Sequence, residues 1–297
     1  MLAPTVPEIP IFLNDIWRNA LCEGLCFGVR LFEIVCPFKS IPLGRCLLRI
    51  SKHGPLKIAT RPFATHVNME WFSSVAGNRN FAAFKHTMRS ECLLYAELRS
   101  HSASNCQDSD LVMDYHQDLT RGDLWSDYSE IVRRNVKKSR KCGHIIDKTY
   151  EPDRFYDLLS RQGGRSDRAN SGFSREDFRR FLSILNAHDL MDMFFSYNRH
   201  GDRDAGHVCL RDGKVAYDIL SASTAAAYAT GANYHLLHHI LGYYSGMGFH
   251  TFDHCGANIE GVREFKRRFS PQECYMVLHR FGAPIGLLLQ ARKWFKR

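Results

Sequence analysis

The stretch MDMFFSYNRHGDRDAGHVCLRDGKVAYDILS, residues 191–221, decides the fold prediction. It contains three short apolar segments in succession, at Met191–Asn198, His207–Arg211 and Val215–Ser221. Asp212-Gly213 separates the last two, and an Asp-Gly pair between two strand-like segments is typical of a tight β-hairpin. The stretch is therefore predicted to form an antiparallel, three-stranded meander.

Helices and strands are also predicted on both sides of this meander. Their apolar residues recur at helical or alternating spacing, and Ser174 opens one helix with an acidic first turn. The flanking elements are a strand at His144–Thr149, helices at Pro152–Gln162, Ser174–Asn186 and Ala232–Met247, a strand at Phe249–His254, a helix at Val262–Phe269 and a strand at Cys274–Arg280. The resulting order, βααβββαβαβ, predicts a mixed α/β domain over residues 144–284.

The first half of the chain has a less regular pattern. A chain of 297 residues holds one or two cores of about 150 residues each. We therefore expect residues 1–143 to form a separate first domain, with the tail 285–297 packing back on it. Its predicted helices lie at Asn14–Gly24, Asn68–Arg89 and Leu124–Cys142, and its strands at Arg30–Pro37, Cys46–Ser51, Cys92–Leu98 and Leu111–Tyr115.

Composition and termini narrow the class of protein. Hydrophobic residues make up 44% and charged residues 24% of the chain, as in a soluble globular protein. The longest apolar runs, such as Gly282–Leu289, are far shorter than the roughly 18 residues that cross a bilayer. The N-terminus, Met1–Pro4, lacks the features of a secretory signal. We expect a cytoplasmic protein whose ten scattered cysteines are reduced and form no metal site.

The formal charge of +9 is concentrated in three segments, at Arg133–Lys141, Arg263–Arg268 and Arg292–Arg297. Such clusters suit a polyanionic partner, which could be a phosphorylated cofactor, a tRNA or an anionic membrane surface. A solvated basic face is the alternative for each cluster. The last segment also contains Trp294 and Phe295, a composition that suits either peripheral membrane contact or packing on the first domain.

Four segments resemble those of Fem-type aminoacyltransferases and related GNAT N-acyltransferases. FDHCGAN at Phe252–Asn258 and GVREFKRRF at Gly261–Phe269 are similar to a strand and the following Phe-Lys helix of these enzymes. RRNVKKS at Arg133–Ser139 is similar to the basic helix that joins their two domains, and SKHGPL at Ser51–Leu56 to the Gly-Pro turn of their first domain. Ser270 departs from the Gly that usually follows the Phe-Lys segment. The resemblance implies a tandem GNAT-like fold of the α/β class with mixed sheets.

The resemblance also implies an enzyme that moves an acyl or aminoacyl group onto an amine of a cell-envelope precursor, an amino sugar or a related metabolite. The donor would be acyl-CoA or aminoacyl-tRNA, with no permanently bound cofactor. The acceptor could be linked to a nucleotide or to a lipid, in which case the basic tail would contact the inner face of the membrane. One alternative is a GNAT acetyltransferase that uses acyl-CoA on a small amine or sugar. Another is a non-catalytic basic protein that binds nucleic acid or a membrane surface.

Two residues are the catalytic candidates, and the site is expected in the cleft between the two domains. By resemblance, Lys266 would stabilise charge on the donor side, although a surface lysine on a basic helix is the alternative. Asp253 ends a predicted strand and could accept a proton or orient the amine, or only form a turn. The candidates for donor or substrate binding are Arg134, Lys137, Lys138, Tyr217, Asp218, Gly231, Asn233, Gly256, Arg263 and Phe265.

The helix predicted at Ala232–Met247 has two further features. Gly231 and Asn233 lie at its start, where free backbone amides could hold an anion; an ordinary helix cap is the alternative. The histidines of this helix follow the i, i+3, i+4 spacing of metal ligands but lack the Glu of a zinc-protease motif. We therefore interpret His235, His238 and His239 as ordinary residues of a helix face.

Overall fold

The chain folds into two compact units. The computed structural model describes residues 10–35, 42–53, 56–60, 62, 64–65, 67, 69–72, 78–100, 110–161, 173–257 and 259–282. Unit 1 contains the described residues up to Cys22, those between Phe27 and Leu111 and those from Val277 onward. Unit 2 contains Glu23–Cys26 and Val112–Met276. The predicted packing of the tail 285–297 concerns residues outside the described ranges.

Unit 1 is built on a mixed sheet. Its elements are a 3-10 turn (Ile11–Leu13), α1 (Asp15–Asn19), a π-helical turn (Ala20–Gly24), β1 (Val29–Val35), β2 (Pro42–His53), β3 (Leu56–Thr60), β4 (Met69–Trp71), α2 (Asn78–Ser90), β5 (Leu93–Ser100) and the second half of β12 (Gln272–Phe281). The strand order is β1-β2-β3-β5-β12, with β4 beside β2. β3 and β5 run parallel, and the other pairs are antiparallel. Phe84 and Met88 of α2 pack on the sheet with Leu48 and Leu98.

The helix predicted at Asn68–Arg89 is wrong at Met69–Trp71. Residues 69–71 form β4, which pairs with Gly44–Cys46 of β2, and the helix begins at Asn78. Apolar residues at helical spacing fit a short strand equally well when a neighbouring strand supplies the backbone partners, so tertiary pairing outweighs the local pattern here. The strand β3 was not predicted.

Unit 2 contains the predicted meander and its flanking elements. They are β6 (Asp110–Asp118), α3 (Leu124–Asp127), α4 (Glu130–Lys141), β7 (Ile145–Lys148), α5 (Pro152–Arg161), α6 (Arg175–Ala187), β8 (Met191–Tyr197), β9 (Arg203–Asp212), β10 (Val215–Ser223), α7 (Ala225–Thr230), α8 (Ala232–Gly246), β11 (Thr251–Asp253) and α9 (Glu260–Arg267). The strand order is β6-β11-β10-β9-β8-β7. β10 and β11 run parallel, and the other pairs are antiparallel. The predicted element order is confirmed, with the short helix α7 added.

Local sequence signals explain two of these elements. β9 and β10 form the predicted hairpin, in which Val215 pairs with Asp212 and Gly213 has a φ of +56°, as a tight turn of this type requires. α6 begins with a capping box: the Ser174 side chain accepts from the Asp177 amide, and the Asp177 side chain accepts from the Ser174 amide. These residues fix both the meander and the start of the helix that follows α5.

The basic helix predicted at Leu124–Cys142 is two helices, α3 and α4. They are separated at Tyr128, which has an extended backbone (ψ 144°) and is buried. The Tyr128 ring packs edge-on against Phe269, with ring centroids 5.1 Å apart. Because α4 packs on α8 and β6 pairs with β11, residues 112–143 belong to unit 2. This division differs from the predicted boundary at residue 143.

Ser270 has the backbone conformation that its Gly counterpart in the resembling family would favour. Its φ is +57°, which costs a non-glycine residue about 1–2 kcal/mol. The Ser270 hydroxyl donates to the Asp127 carbonyl at 2.6 Å, a contact that glycine could not make. The departure from the family pattern therefore keeps the turn and adds a tie to the end of α3.

Two general properties concern the described residues only. Their cysteines are all free thiols. Within the described ranges, no helix combines the length and the apolar composition that crossing a membrane requires.

Candidate functional site

The parallel strands of unit 2 separate halfway along β10. β10 and β11 pair only where Val215–Tyr217 faces Thr251–Asp253. β10 continues to Ser223, whereas the chain after β11 stays on β6, since the His254 amide donates to the Tyr115 carbonyl at 3.0 Å. The second half of β10 therefore lacks a parallel partner from β11, and a wedge opens between the two chain segments.

A cavity of about 270 Å³ borders this second half of β10; we call it the first cavity. It combines hydroxyl, imidazole, carboxylate and ammonium groups with an apolar side. The lining residues are His207, Asp218, Ser221, Ser223, Tyr228, Asn233, Gly261, Val262, Phe265 and Lys266. Four sequence-predicted candidates, Asp218, Asn233, Phe265 and Lys266, are thus brought together.

A β-bulge gives this cavity its polar wall. Asp218 pairs with Cys209 and Leu220 with Val208, so Ile219 is an extra residue in β10. On a regular strand, residues three positions apart point to opposite faces of the sheet. The inserted residue corrects the alternation, so that Asp218 and Ser221 both line the cavity.

His207 and Asp218 form a buried pair in the cavity wall. The His207 Nδ1 and the Asp218 Oδ1 are 2.9 Å apart, and both residues are buried. Burial alone would raise the pKa of Asp218, but the charge and hydrogen bond of His207 hold it below its ordinary value. Asp218 is therefore a carboxylate that orients the His207 imidazole through Nδ1.

Sequence reasoning missed His207. The signal was present in the hairpin register, because His207 lies two residues before Cys209, the pairing partner of Asp218. Residues two apart on a strand share a face, so a hairpin closed at Asp212-Gly213 already places His207 near Asp218. Only the bulge at Ile219 could not be predicted from that register.

Lys266 is buried, so the alternative that it is a surface lysine is wrong. Its ammonium donates to the His254 carbonyl and, at 2.7 Å, to the Gly256 carbonyl. The lysine thus ties α9 to the segment that leaves β11 and places a positive charge in the wall of the first cavity.

His254 lies beside this lysine in a fully buried position. Burial, assisted by the Lys266 charge, lowers the pKa of His254 to about 3, so its imidazole is neutral. Neither of its ring nitrogens has a hydrogen-bond partner among the described residues. A buried neutral imidazole at this point avoids placing a second positive charge next to Lys266.

Asp253 lies outside the first cavity, in a cluster with Asp114 and His116. The His116 Nε2 is 3.2 Å from an oxygen of Asp114 and 3.4 Å from one of Asp253. The other oxygens accept from backbone amides, of Gly256 at 2.7 Å and Cys255 at 2.6 Å. Burial lowers the pKa of His116, but the two carboxylates raise it to about 10 overall.

This Asp-His-Asp cluster also brings three ligand-type atoms within 4.8 Å of one another, close enough to hold a metal ion. At neutral pH the protonated imidazole already neutralises one of the two buried carboxylate charges. A cation would have to displace that proton. The cluster is therefore first an ion pair that fastens β6 to the end of β11.

The remaining candidates near α9 are Arg263, Tyr217 and Gly256. Arg263 donates through Nε to the Ala257 carbonyl at 3.0 Å. Tyr217 lies opposite Asp253 on the neighbouring strand, and burial raises the pKa of its phenol. Together with Gly256, these residues shape the wedge but do not line the first cavity.

The candidates on α4 lie on an exposed face. Arg134, Lys137 and Lys138 are exposed, and the Lys138 ammonium donates to the Ala229 carbonyl of α7 at 2.7 Å. Gly231 ends α7 and starts α8 with a φ of +78°. A Cβ at this position would lie 2.7 Å from the Asn135 carbonyl oxygen, so glycine permits the close approach of α4 to the α7–α8 junction.

A second cavity, of about 600 Å³, also lies in unit 2. It is lined by α5, by the connection between β8 and β9, and by the start of α7. Thr224 lines this cavity, and its chain neighbour Ser223 lines the first. Both cavities therefore meet the same end of β10.

Comparison with known proteins identifies the fold and the class of enzyme. Residues 126–267 match the acetyltransferase (GNAT) domain family. The chain is similar to the solved structure of FemX, at 11% identity and a TM-score of 0.61 over 96% of this chain and 95% of that chain. It is similar to a tandem GNAT protein from the clavulanic acid biosynthesis pathway, at 11% identity and a TM-score of 0.54 over 90% of this chain and 88% of that chain.

L-PGS from Bacillus licheniformis is another similar structure, at 12% identity and a TM-score of 0.55 over 98% of this chain and 99% of that chain. No curated protein matches this chain. The three structural likenesses agree on the tandem fold that the four sequence segments implied. The chain is an acyltransferase whose residues 126–267 match the acetyltransferase (GNAT) domain family, and its tandem fold is similar to that of FemX.

Proposed function

We propose that this protein transfers an acyl group from acyl-CoA onto an amine, and that the transfer takes place in the first cavity. The observation that carries the proposal is the His207–Asp218 pair, 2.9 Å apart, in a cavity wall that also contains Lys266. A base, a positive charge and hydroxyl groups thus line one small cavity beside the half of β10 that no longer pairs with β11.

The pair supplies the proton transfer that N-acylation needs. A neutral amine attacks the thioester carbonyl carbon, so that a C–N bond forms and the C–S bond breaks. The amine proton passes to the Nε2 of His207 and then to the leaving thiolate. Asp218 stabilises the imidazolium that exists between these two transfers, because its buried carboxylate stays charged.

Lys266 and the second half of β10, which does not pair with β11, are placed to bind the carbonyl group of the donor. Negative charge develops on the carbonyl oxygen during attack, and a fixed positive charge beside that oxygen lowers the energy of the charged state. Lys266 is fixed by two backbone carbonyls, so no reorganisation is needed when the charge develops. The hydroxyls of Ser221 and Ser223 are further hydrogen-bonding groups on the same wall.

The proposed donor follows from the GNAT domain, since GNAT transferases use acyl-CoA. Its phosphates would meet the exposed cations of α4, where Lys138 contacts the carbonyl end of α7. Aminoacyl-tRNA is the other donor that the Fem-type resemblance suggested. The acceptor is an amine of a cell-envelope precursor, an amino sugar or a related metabolite.

A donor screen tests this proposal. Labelled acyl-CoAs and charged tRNAs are offered in parallel, with amino sugars, small amines and peptidoglycan precursors as acceptors. His207→Gln removes the base, and His250→Gln, an exposed histidine of the same unit, is the matched control. Transfer from acyl-CoA that is lost only in His207→Gln supports the proposal.

Three other outcomes contradict it. Transfer from charged tRNA alone would mean that the donor is wrong. Salt-dependent binding of polyanions without transfer from any donor would favour the non-catalytic alternative. Equal activity of both histidine variants would remove His207 from the mechanism.

A further inference from the structure

The second cavity contains charges of both signs. Six of its lining residues have ionisable side chains, from α5 and from the segment that leads into β9: Arg154, Asp157, Arg161, Asp202, Arg203 and Asp204. Its volume of about 600 Å³ falls within the range of small-molecule sites. The chemistry of a ligand follows from which of these charges already have partners.

Two of the six are taken up by neighbours outside the cavity. Asp157 accepts from Arg175 at 2.5 Å. Arg203 forms an ion pair with Glu151 and stacks beside Tyr197. These two residues are therefore committed to holding α5 and β9 in place.

The two arginines of α5 are not committed in this way. Arg154 and Arg161 make no ion pair with any residue in the described part of the chain, and both are exposed. Seven residues separate them, which on an α-helix is two turns along one face, or about 10 Å. They form an anion-binding edge on the cavity.

The two aspartates at the opposite side are only weakly partnered. Asp204 is the extra residue of a bulge, since Ser196 pairs with Ala205 and Tyr197 with Arg203. It is buried, and His144 Nδ1, its ion-pair partner, is 3.8 Å away, beyond hydrogen-bonding distance. The Asp202 carboxylate accepts from the Asn198 side chain at 3.3 Å, a long hydrogen bond. Both can accept hydrogen bonds from an ammonium group.

We propose that the second cavity binds the amine acceptor, and that this acceptor is zwitterionic: its amine is held by Asp202 and Asp204, and its phosphate or carboxylate by Arg154 and Arg161. This inference rests on the proposed function for the acceptor role. Ser223 lines the first cavity and the next residue, Thr224, lines the second, so both cavities border the same end of β10. Each arginine can bind an oxyanion in bidentate fashion.

Calorimetric titration of the full chain without any acyl donor tests the inference. The probes are ω-aminoalkyl phosphates and ω-amino carboxylates of two to six carbons, with ethylamine and inorganic phosphate as single-charge references. We expect the best zwitterion to bind at least about tenfold more tightly than either reference. Preference for the phosphate or the carboxylate series identifies the anionic group.

Variants separate the two ends of the cavity. The double variant Arg154→Ala, Arg161→Ala should weaken zwitterion binding at least about tenfold and leave ethylamine binding unchanged. Asp204→Asn should weaken the binding of both the zwitterions and ethylamine. Asp202→Asn, at an exposed position, should do the same and is used if the buried substitution at Asp204 prevents folding. Arg89→Ala on α2 is the control. Equal affinity for zwitterion and ethylamine, or wild-type binding by the double arginine variant, would overturn the inference.

Binding and turnover distinguish this inference from the proposed function. Zwitterion binding without transfer supports the ligand class and counts against the enzymatic role. Transfer whose KM for the amine is the same in wild type and the double arginine variant overturns the inference and leaves the proposed function intact.

Discussion

Unit 2 contains two groups of Asp and His side chains that differ in their surroundings. In one, His207 meets a single carboxylate, Asp218, in a cavity wall. In the other, His116 is shared by Asp114 and Asp253, whose remaining oxygens are held by backbone amides. The first imidazole pairs with one carboxylate beside a cavity, and the second lies between two carboxylates.

The difference teaches that residue type alone does not mark a catalytic group. Two carboxylates hold a proton on His116 so firmly that its pKa rises to about 10, which makes it a poor proton shuttle near neutral pH. His207 is instead oriented by a single carboxylate, that of Asp218. Sequence reasoning selected Asp253, which belongs to the His116 cluster, and we now expect that cluster to stabilise the fold.

The largest expected effect is from Asp218→Asn. The neutral amide no longer stabilises the imidazolium and permits the wrong tautomer of His207, so kcat/KM should fall by about 10²–10⁴. Steady-state kinetics with the best donor from the screen measures it. Asp212→Asn, at the hairpin turn of the same strand pair, is the control. Activity within twofold of wild type in Asp218→Asn would break the comparison.

Lys266→Met should have the next largest effect. Methionine keeps the length of the side chain but removes the charge at the cavity and leaves two buried carbonyls without their donor. We expect kcat/KM to fall about 100-fold and the free energy of unfolding to fall by about 1–3 kcal/mol. Kinetics and urea unfolding are measured together, with Lys141→Met as the exposed control. A loss of stability without any loss of kcat/KM would limit Lys266 to a structural role.

His116→Gln should change stability in a pH-dependent way and leave kcat almost unchanged. The pKa of His116 is raised to about 10 in the folded protein, against about 6.5 when unfolded. The stability that protonated His116 contributes to the fold is therefore fully present below pH 6.5 and is lost as the pH rises toward 10. Urea unfolding should show a wild-type advantage of about 3 kcal/mol at pH 6 that shrinks toward zero near pH 10. A fall in kcat as large as that of His207→Gln would erase the distinction between the two groups.

The smallest expected effect is that of zinc on the same cluster. At neutral pH a cation must displace the His116 proton. The rise in Tm that Zn²⁺ causes should therefore differ by less than about 1 °C between the wild type and His116→Gln. Thermal unfolding of both proteins, with and without a chelator, provides the measurement. A clearly larger rise of Tm in the wild type alone would mean that the His116 cluster binds a metal ion, which would make it a ligand site and not only an ion pair.

Most of unit 2 could be predicted from the sequence because its signals are local. The Asp212-Gly213 turn and the Ser174 capping box act within a few residues. Unit 1 was harder, since β4 exists only because β2 supplies its backbone partners. A pattern read along one segment contains no information about such a neighbour.

The first cavity was predicted in part for the same reason. Lys266, Phe265, Asp218 and Asn233 were selected by resemblance or by position, and the structure brings them to one cavity. His207 became visible only through its cross-strand pairing, and the Ile219 bulge through the observed register. The roles of all these residues remain predictions until the variants are measured.

The contact between Gly231 and Asn135 has a consequence for how this protein can diverge. Any side chain at position 231 meets the backbone of α4, which cannot be moved by choosing a smaller residue at position 135. The position is thus closed to substitution unless the whole of α4 shifts. Homologues that keep α4 against the α7–α8 junction should all retain this glycine, whereas a homologue without it should have repositioned its basic helix.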